Sequence, residues 1–142
     1  MNLVDANLLL YAVNERDPRH QASLAWLTDQ LNGTRRVALP WSSLGAFLRI
    51  STHPRARQRP LSPAAAWSVV EDWLSAPAAW IPSPEDRFGA IVTGLMARYE
   101  LAGNLIPDAM LAALAIEHGL TVCSADTDFA RFDEINWVNP LA

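Results

Sequence analysis

Four aspartates stand where an apolar segment of the chain ends or a helical pattern begins. Asp5 and Asp126 follow short apolar runs, Asp128 lies two residues further on, and Asp108 opens an alanine- and leucine-rich segment. Carboxylates that gather repel one another and cost stability unless a cation neutralises them. Their oxygens suit Mg²⁺ or Mn²⁺, and such a cation can activate water for attack at phosphorus. We therefore expect Asp5, Asp108 and Asp126 to be catalytic metal ligands, with Asp128 as a weaker ligand.

Each aspartate also has an ordinary structural explanation. Asp5 could cap the next helix, and Asp108 could complement the dipole of its helix. Asp126 and Asp128 could be turn residues, because aspartate side chains bond to nearby backbone in turns. Their joint placement in otherwise apolar surroundings favours one shared site over four separate local roles.

Short apolar segments alternate with helical patterns along the whole chain. We expect strands at residues 2–4, 37–39, 80–81, 120–123 and 136–138, and helices at residues 7–13, 20–31, 41–50, 63–74, 84–99 and 107–118. This alternation predicts an α/β fold in which helices cover both faces of a central parallel sheet. Ligands bind outside the carboxyl ends of the strands in such sheets, and the four aspartates are expected at that edge.

Length and composition limit the class of protein. With 142 residues, the chain is expected to form a single domain over residues 1–142. Its one cysteine, Cys123, rules out an internal disulfide and fits a reducing compartment. No segment approaches the roughly 20 apolar residues of a membrane span, and the first residues do not have the pattern of a signal peptide. We therefore expect a cytoplasmic protein without a membrane partner.

Three segments resemble the PIN-domain nucleases, in particular the VapC toxins of bacterial toxin–antitoxin pairs. They are VDANLL at residues 4–9, IPDA at residues 106–109 and SADTDF at residues 124–129. The resemblance covers nearly the whole chain. It implies a three-layer α/β/α sandwich, Mg²⁺-dependent cleavage of RNA and a homodimer held silent by a protein antitoxin. Asn7 and Ser124, which belong to these segments, are the expected supporting residues.

The chain departs from the family pattern at one position. The family usually places a glutamate on the helix after the second strand, and by alignment that position falls at Gly45 or Ala46. No acid lies near enough to replace it, because residues 30–70 contain none. Either a hydroxyl from Ser43 or a bound water could take the place of the missing glutamate. The number of metal ions is therefore open as well.

An acidic chain of net charge −4 carries one strongly basic segment. Its arginines either form a solvated loop or contact the RNA backbone, since arginine binds phosphate bidentately. The candidate RNA-binding residues are Arg49, Arg55, Arg57 and Arg59. The helix with Trp67, Val70 and Leu74 on one face is a candidate dimer surface, and the same face could equally belong to the core.

Two other functional classes remain to be compared. Phosphotransfer domains also place an aspartate at a strand end, but they normally need a lysine, and this chain has none. The second class is a non-catalytic PIN-like module that binds RNA or protein. The absence of the family glutamate is consistent with this class. RNA cleavage that requires a metal ion and is lost in Asp5→Asn would distinguish the nuclease from the phosphotransfer domain and from the non-catalytic module.

Overall fold

The computed structural model describes residues 1–55 and 58–142 and contains a five-stranded parallel sheet. The strands are β1 (Asn2–Val4), β2 (Val37–Ala38), β3 (Ala79–Trp80), β4 (Thr121–Cys123) and β5 (Asn136–Val138). Their order across the sheet is β3-β2-β1-β4-β5, with every neighbouring pair parallel. The parallel sheet predicted from the alternation of strands and helices is therefore confirmed.

Helices cover both faces of the sheet. They are α1 (Ala6–Val13), α2 (His20–Leu31), α3 (Trp41–Ser51), α4 (Pro63–Leu74), α5 (Phe88–Tyr99) and α6 (Leu105–His118), and a 3₁₀ helix spans Thr127–Arg131. Successive residues of a strand point to opposite faces, so Leu3 packs with α5 and α6 whereas Val4 packs with α1 to α4. The result is a three-layer α/β/α sandwich with one apolar core on each side of the sheet.

The central strand β1 marks the point at which the chain changes direction across the sheet. From β1 the chain moves outward through β2 to β3, and then returns to place β4 on the other side of β1. Such a switch point opens a crevice at the carboxyl ends of the two strands. Asp5 follows β1 and Asp126 follows β4, so the topology places both aspartates at this crevice.

The start of α5 differs from the sequence expectation. The pattern predicts a helix from residue 84, whereas α5 begins at Phe88. The buried carboxylate of Glu117 on α6 accepts the backbone N–H groups of Glu85 and Arg87 at 2.8 and 2.9 Å. Residues 85–87 are thereby held against α6, and the helix starts only after them.

The face of α4 considered for dimerisation is only partly accessible. Val70 is fully buried in the core under the sheet, so it cannot belong to a dimer surface. Trp67 on the same helix is 43% exposed. Within the described residues, no helix has both the length and the apolar character that a membrane span requires.

Candidate active site

Asp5 lies between β1 and α1, and its carboxylate is held on several sides. One oxygen accepts the backbone N–H of Ala6 at 2.8 Å, so Asp5 caps α1. The other accepts the hydroxyl of Ser124 at 2.7 Å and the amide of Asn7 at 3.3 Å. The capping role expected as the ordinary explanation for Asp5 is therefore present, and Ser124 and Asn7 hold the second oxygen.

Ser124 and Asn7 join the ends of β1 and β4. The fully buried Ser124 hydroxyl accepts the Asn7 amide and the backbone N–H of Asp126, both at 3.0 Å. The Asn7 carbonyl oxygen accepts the backbone N–H of Ala125 at 3.3 Å. This network fixes the carboxylate of Asp5 relative to the backbone that carries Asp126.

A cluster of three carboxylates forms beside Asp5. Asp126 caps the 3₁₀ helix by accepting the backbone N–H of Asp128 at 2.9 Å. Asp108, in the first turn of α6, approaches both of them, and one carboxylate oxygen from each residue lies within 4.8 Å of the others. We call Asp108, Asp126 and Asp128 the carboxylate cluster. Among the described residues it has the spacing needed to hold a divalent cation.

Burial and mutual repulsion disfavour negative charge at this site. Burial, followed by the charges of Asp126, Asp5 and Asp128, raises the pKa of Asp108 to about 6. Burial also raises the pKa of Asp5, although the hydrogen bond from Ser124 acts in the opposite direction. A bound cation would relieve both effects, because it favours the ionised form of every carboxylate that faces it.

A cleft of about 90 Å³ joins Asp5 to Asp108. We call it the carboxylate cleft; its walls are Asp5, Ala6, Ser42, Ser43, Ala46, Pro107, Asp108 and Leu111. Ala46 lines the cleft, whereas Gly45 is exposed and is not part of its lining. Of the two positions at which the family glutamate was expected, Ala46 is therefore the one that faces the acidic residues.

The candidate RNA-binding arginines do not line this cleft in the described residues. Arg49 is exposed in the last turn of α3, and Arg55 is exposed in the following loop. Arg59 lines a different cavity of about 300 Å³ together with Arg16 and Phe47. Arg57 lies outside the described residues. Arg49 follows Ala46, the last α3 residue in the lining of the cleft, by three residues, so the arginines begin about 4.5 Å further along the α3 axis.

Sequence reasoning missed Arg131 at the edge of the carboxylate cluster. It forms an ion pair with Asp128 at 3.6 Å, and its charge lowers the pKa of Asp108. The spacing of three residues from Asp128 was the available signal, since it brings two side chains together on one helical turn. Arg131 therefore places a positive group beside the carboxylate cluster.

Two tryptophans near the cleft are exposed. Trp41 and Trp67 are 51% and 43% exposed, and their rings stack with centroids 6.3 Å apart and planes 8° from parallel. Trp41 is the first residue of α3 and precedes Ser42, which lines the carboxylate cleft. An exposed aromatic pair therefore lies at the same end of α3 as the cleft.

The fold and the sequence are both similar to those of known proteins. A family model described as PIN domain matches residues 3–135. The chain is 43% identical over 142 residues to Ribonuclease VapC37 of Mycobacterium tuberculosis, which covers 100% of this chain and 99% of that protein. It is 39% identical over 142 residues to VapC ribonuclease Mb2897 of Mycobacterium bovis, with 99% and 96% covered.

Solved structures share the fold at low sequence identity. VapBC-1 from nontypeable Haemophilus influenzae superimposes with a TM-score of 0.70 at 13% identity, covering 99% of this chain and 98% of that chain. VapC20 of M. tuberculosis, a sarcin–ricin-loop-cleaving toxin, superimposes with a TM-score of 0.67 at 15% identity, covering 96% and 99%.

Proposed function

This chain belongs to the PIN-domain family, and we propose that it is a metal-dependent endoribonuclease, the toxin of a toxin–antitoxin pair. The observation that carries the proposal is the approach of Asp108, Asp126 and Asp128 within 4.8 Å, beside a cleft that Asp5 shares with Asp108. The names of the M. tuberculosis and M. bovis relatives as ribonucleases support RNA as the substrate. A single catalytic domain over residues 1–142 is part of the proposal, as is action in the cytoplasm.

The donor set fits a hard divalent cation such as Mg²⁺ or Mn²⁺. Asp5, Asp108 and Asp126 would hold it, with Asp128 as a weaker ligand, because carboxylate oxygens are the groups that these ions prefer. When bound, the cation lowers the pKa of water and offsets charge that develops on a phosphate. The raised pKa of Asp108 supports this assignment, since unneutralised carboxylates resist ionisation at this site.

The surrounding residues orient the ligands and the substrate. Ser124 and Asn7 donate hydrogen bonds to Asp5 and so fix the direction of its carboxylate. Arg131 is partly exposed and paired with Asp128 at the edge of the cluster, and its guanidinium is the group there that would bind a phosphate oxygen of the RNA. The chain thus supplies a fixed acidic surface for the cation and one positive group for the phosphodiester.

Cleavage of RNA by the purified chain tests the proposal directly. We expect cleavage in Mg²⁺ or Mn²⁺ and complete loss of it in EDTA, with recovery when the divalent ion is returned in excess. The measurement is gel analysis of labelled RNA over time. Full activity in EDTA would contradict metal dependence, and RNA binding without cleavage in any divalent ion would favour the non-catalytic PIN-like module.

We propose that Arg49, Arg55, Arg57 and Arg59 contact the RNA backbone. Replacing all four by alanine should weaken RNA binding by about tenfold at low salt and reduce the salt slope by up to about one per lost phosphate contact. Binding is measured by fluorescence anisotropy in an Asp5→Asn background, so that the RNA stays intact. Arg98→Ala is the control, because Arg98 is already paired with Asp133. An unchanged affinity and slope in the fourfold variant would mean that the segment is only a solvated loop.

An antitoxin protein and a second copy of the chain complete the proposed assembly. An arginine from the antitoxin would fit the acidic cleft, because guanidinium binds a carboxylate bidentately. The exposed Trp67 supports a dimer contact on α4, although the buried Val70 does not take part. Size-exclusion chromatography with light scattering measures the dimer, and pull-down with the product of the neighbouring gene measures the antitoxin.

A further inference from the structure

Ser43 carries a buried hydroxyl that no part of the described chain satisfies. It is the third residue of α3 and is only 2% exposed. Among residues 1–55 and 58–142, its Oγ has no hydrogen-bond partner. A buried hydroxyl without a partner costs free energy, so native structures rarely keep one without a reason.

The hydroxyl belongs to the wall of the carboxylate cleft. Ser43 lines this cleft with Asp5 and Asp108, and Ala46 lines it one turn further along α3. Residues three apart on a helix share a face, so Ser43 and Ala46 present the same side of α3 to the acids. Ala46 has no polar group, and Ser42 is exposed to solvent, where water can satisfy it.

We propose that Ser43 is a positioning residue of the metal site and that its hydroxyl holds a metal-bound water on the α3 side of the cleft. The proposal rests on the proposed function and deepens it. A cleft of about 90 Å³ has room for an ion with a few waters, since each water occupies about 30 Å³. Mg²⁺ dehydrates reluctantly and keeps several waters, and Ser43 offers the neutral oxygen that one of them needs.

This arrangement makes the α3 side of the site neutral. A glutamate at position 46 would add a negative charge directly to the cation's surroundings, whereas Ser43 acts through a water. Affinity for the cation should therefore depend on the Ser43 hydroxyl and should rise when a carboxylate is added at Ala46. Loss of an outer hydrogen-bond partner typically weakens metal affinity about tenfold or more.

Mn²⁺ binding to the purified protein, without RNA, tests the role of Ser43. Titration is followed by the electron paramagnetic resonance signal of free Mn²⁺. We expect Ser43→Ala to raise the Kd for Mn²⁺ by about tenfold without lowering the Tm of the metal-free protein. Ser51→Ala is a matched control, because Ser51 is on the same helix, is buried and also has an Oγ without a partner in the described residues. It lines the cavity with Phe47 and Arg59 and should bind Mn²⁺ like the wild type.

Ala46→Glu gives a second, independent measurement. This variant should bind Mn²⁺ more tightly than the wild type, by about tenfold, because it adds a further carboxylate to those of Asp5, Asp108, Asp126 and Asp128. The effect of Ser43→Ala should become smaller in the Ala46→Glu background, since the two groups serve the same side of the ion. A double-mutant cycle on the four Kd values measures this coupling.

The outcomes separate the inference from the proposed function. If Ser43→Ala and wild type bind Mn²⁺ equally, or if Ser43→Ala lowers only the metal-free Tm, the role of Ser43 is overturned while the nuclease proposal stands. If the effects of Ser43→Ala and Ala46→Glu are additive, the idea that they serve one side of the ion is overturned. If the wild type itself binds no Mn²⁺ and cleaves no RNA, the proposed function fails and the inference fails with it.

Discussion

Asp5→Asn should reduce RNA cleavage by about 10³-fold or more while leaving the chain folded. The change removes one negative charge from the cleft and keeps the size of the side chain. An amide oxygen can still accept the backbone N–H of Ala6, so the cap of α1 survives. The metal, however, loses an anionic ligand that Ser124 and Asn7 hold in place, and losses of this size are typical when a principal catalytic group is removed.

The control for this variant is Asp72→Asn, the same chemical change at an exposed position on α4. It should cleave RNA at the wild-type rate. Initial rates in saturating Mg²⁺ and circular dichroism spectra provide the comparison. In cells, expression of the wild-type chain alone should slow growth, and Asp5→Asn should not. Cleavage by Asp5→Asn within a few fold of wild type would remove Asp5 from the catalytic set.

The positions of the aspartates could be predicted because they depend on topology. Parallel strands end at one edge of a sheet, so residues that follow β1 and β4 must meet if those strands are neighbours. The alternation of apolar segments and helical patterns predicted the strands. The segments around Asp5, Asp108 and Asp126 carried the resemblance to PIN-domain nucleases. Asp108 follows the same logic, since the beginning of α6 lies at that edge as well.

Features that depend on contacts between distant side chains could not be predicted. The delayed start of α5 depends on Glu117, which lies about 30 residues further along the chain. The choice between Gly45 and Ala46 required the rotation of α3 about its axis, which a pattern fixes only to within a residue or two. The stack of Trp41 on Trp67 joins side chains of two different helices, so it depends on how α3 and α4 pack together.

Asp108→Asn should stabilise the metal-free protein at neutral and alkaline pH. The folded state raises the pKa of Asp108 to about 6, above the value of about 4 expected in the unfolded chain. The ionised carboxylate is therefore less favourable in the folded state, and the full penalty applies above pH 6. It is relieved as the pH falls toward 4, because the folded state then takes up the proton first.

A shift of two pKa units corresponds to about 3 kcal/mol, but Asp108 is partly exposed and solvent screens much of the effect. We therefore expect Asp108→Asn to gain about 1 kcal/mol in free energy of unfolding at pH 8 in EDTA, and the gain to shrink at pH 4.5. Urea denaturation measures both values, with Asp72→Asn as the control.

In Mg²⁺ the wild type should become more stable than Asp108→Asn, because the cation stabilises the wild type through the carboxylate that the variant lacks. A variant that is less stable than wild type in EDTA at pH 8 would mean that Asp108 serves the fold and not the metal. The relative stability of wild type and variant reverses because the carboxylates that bind the cation repel one another and destabilise the metal-free protein.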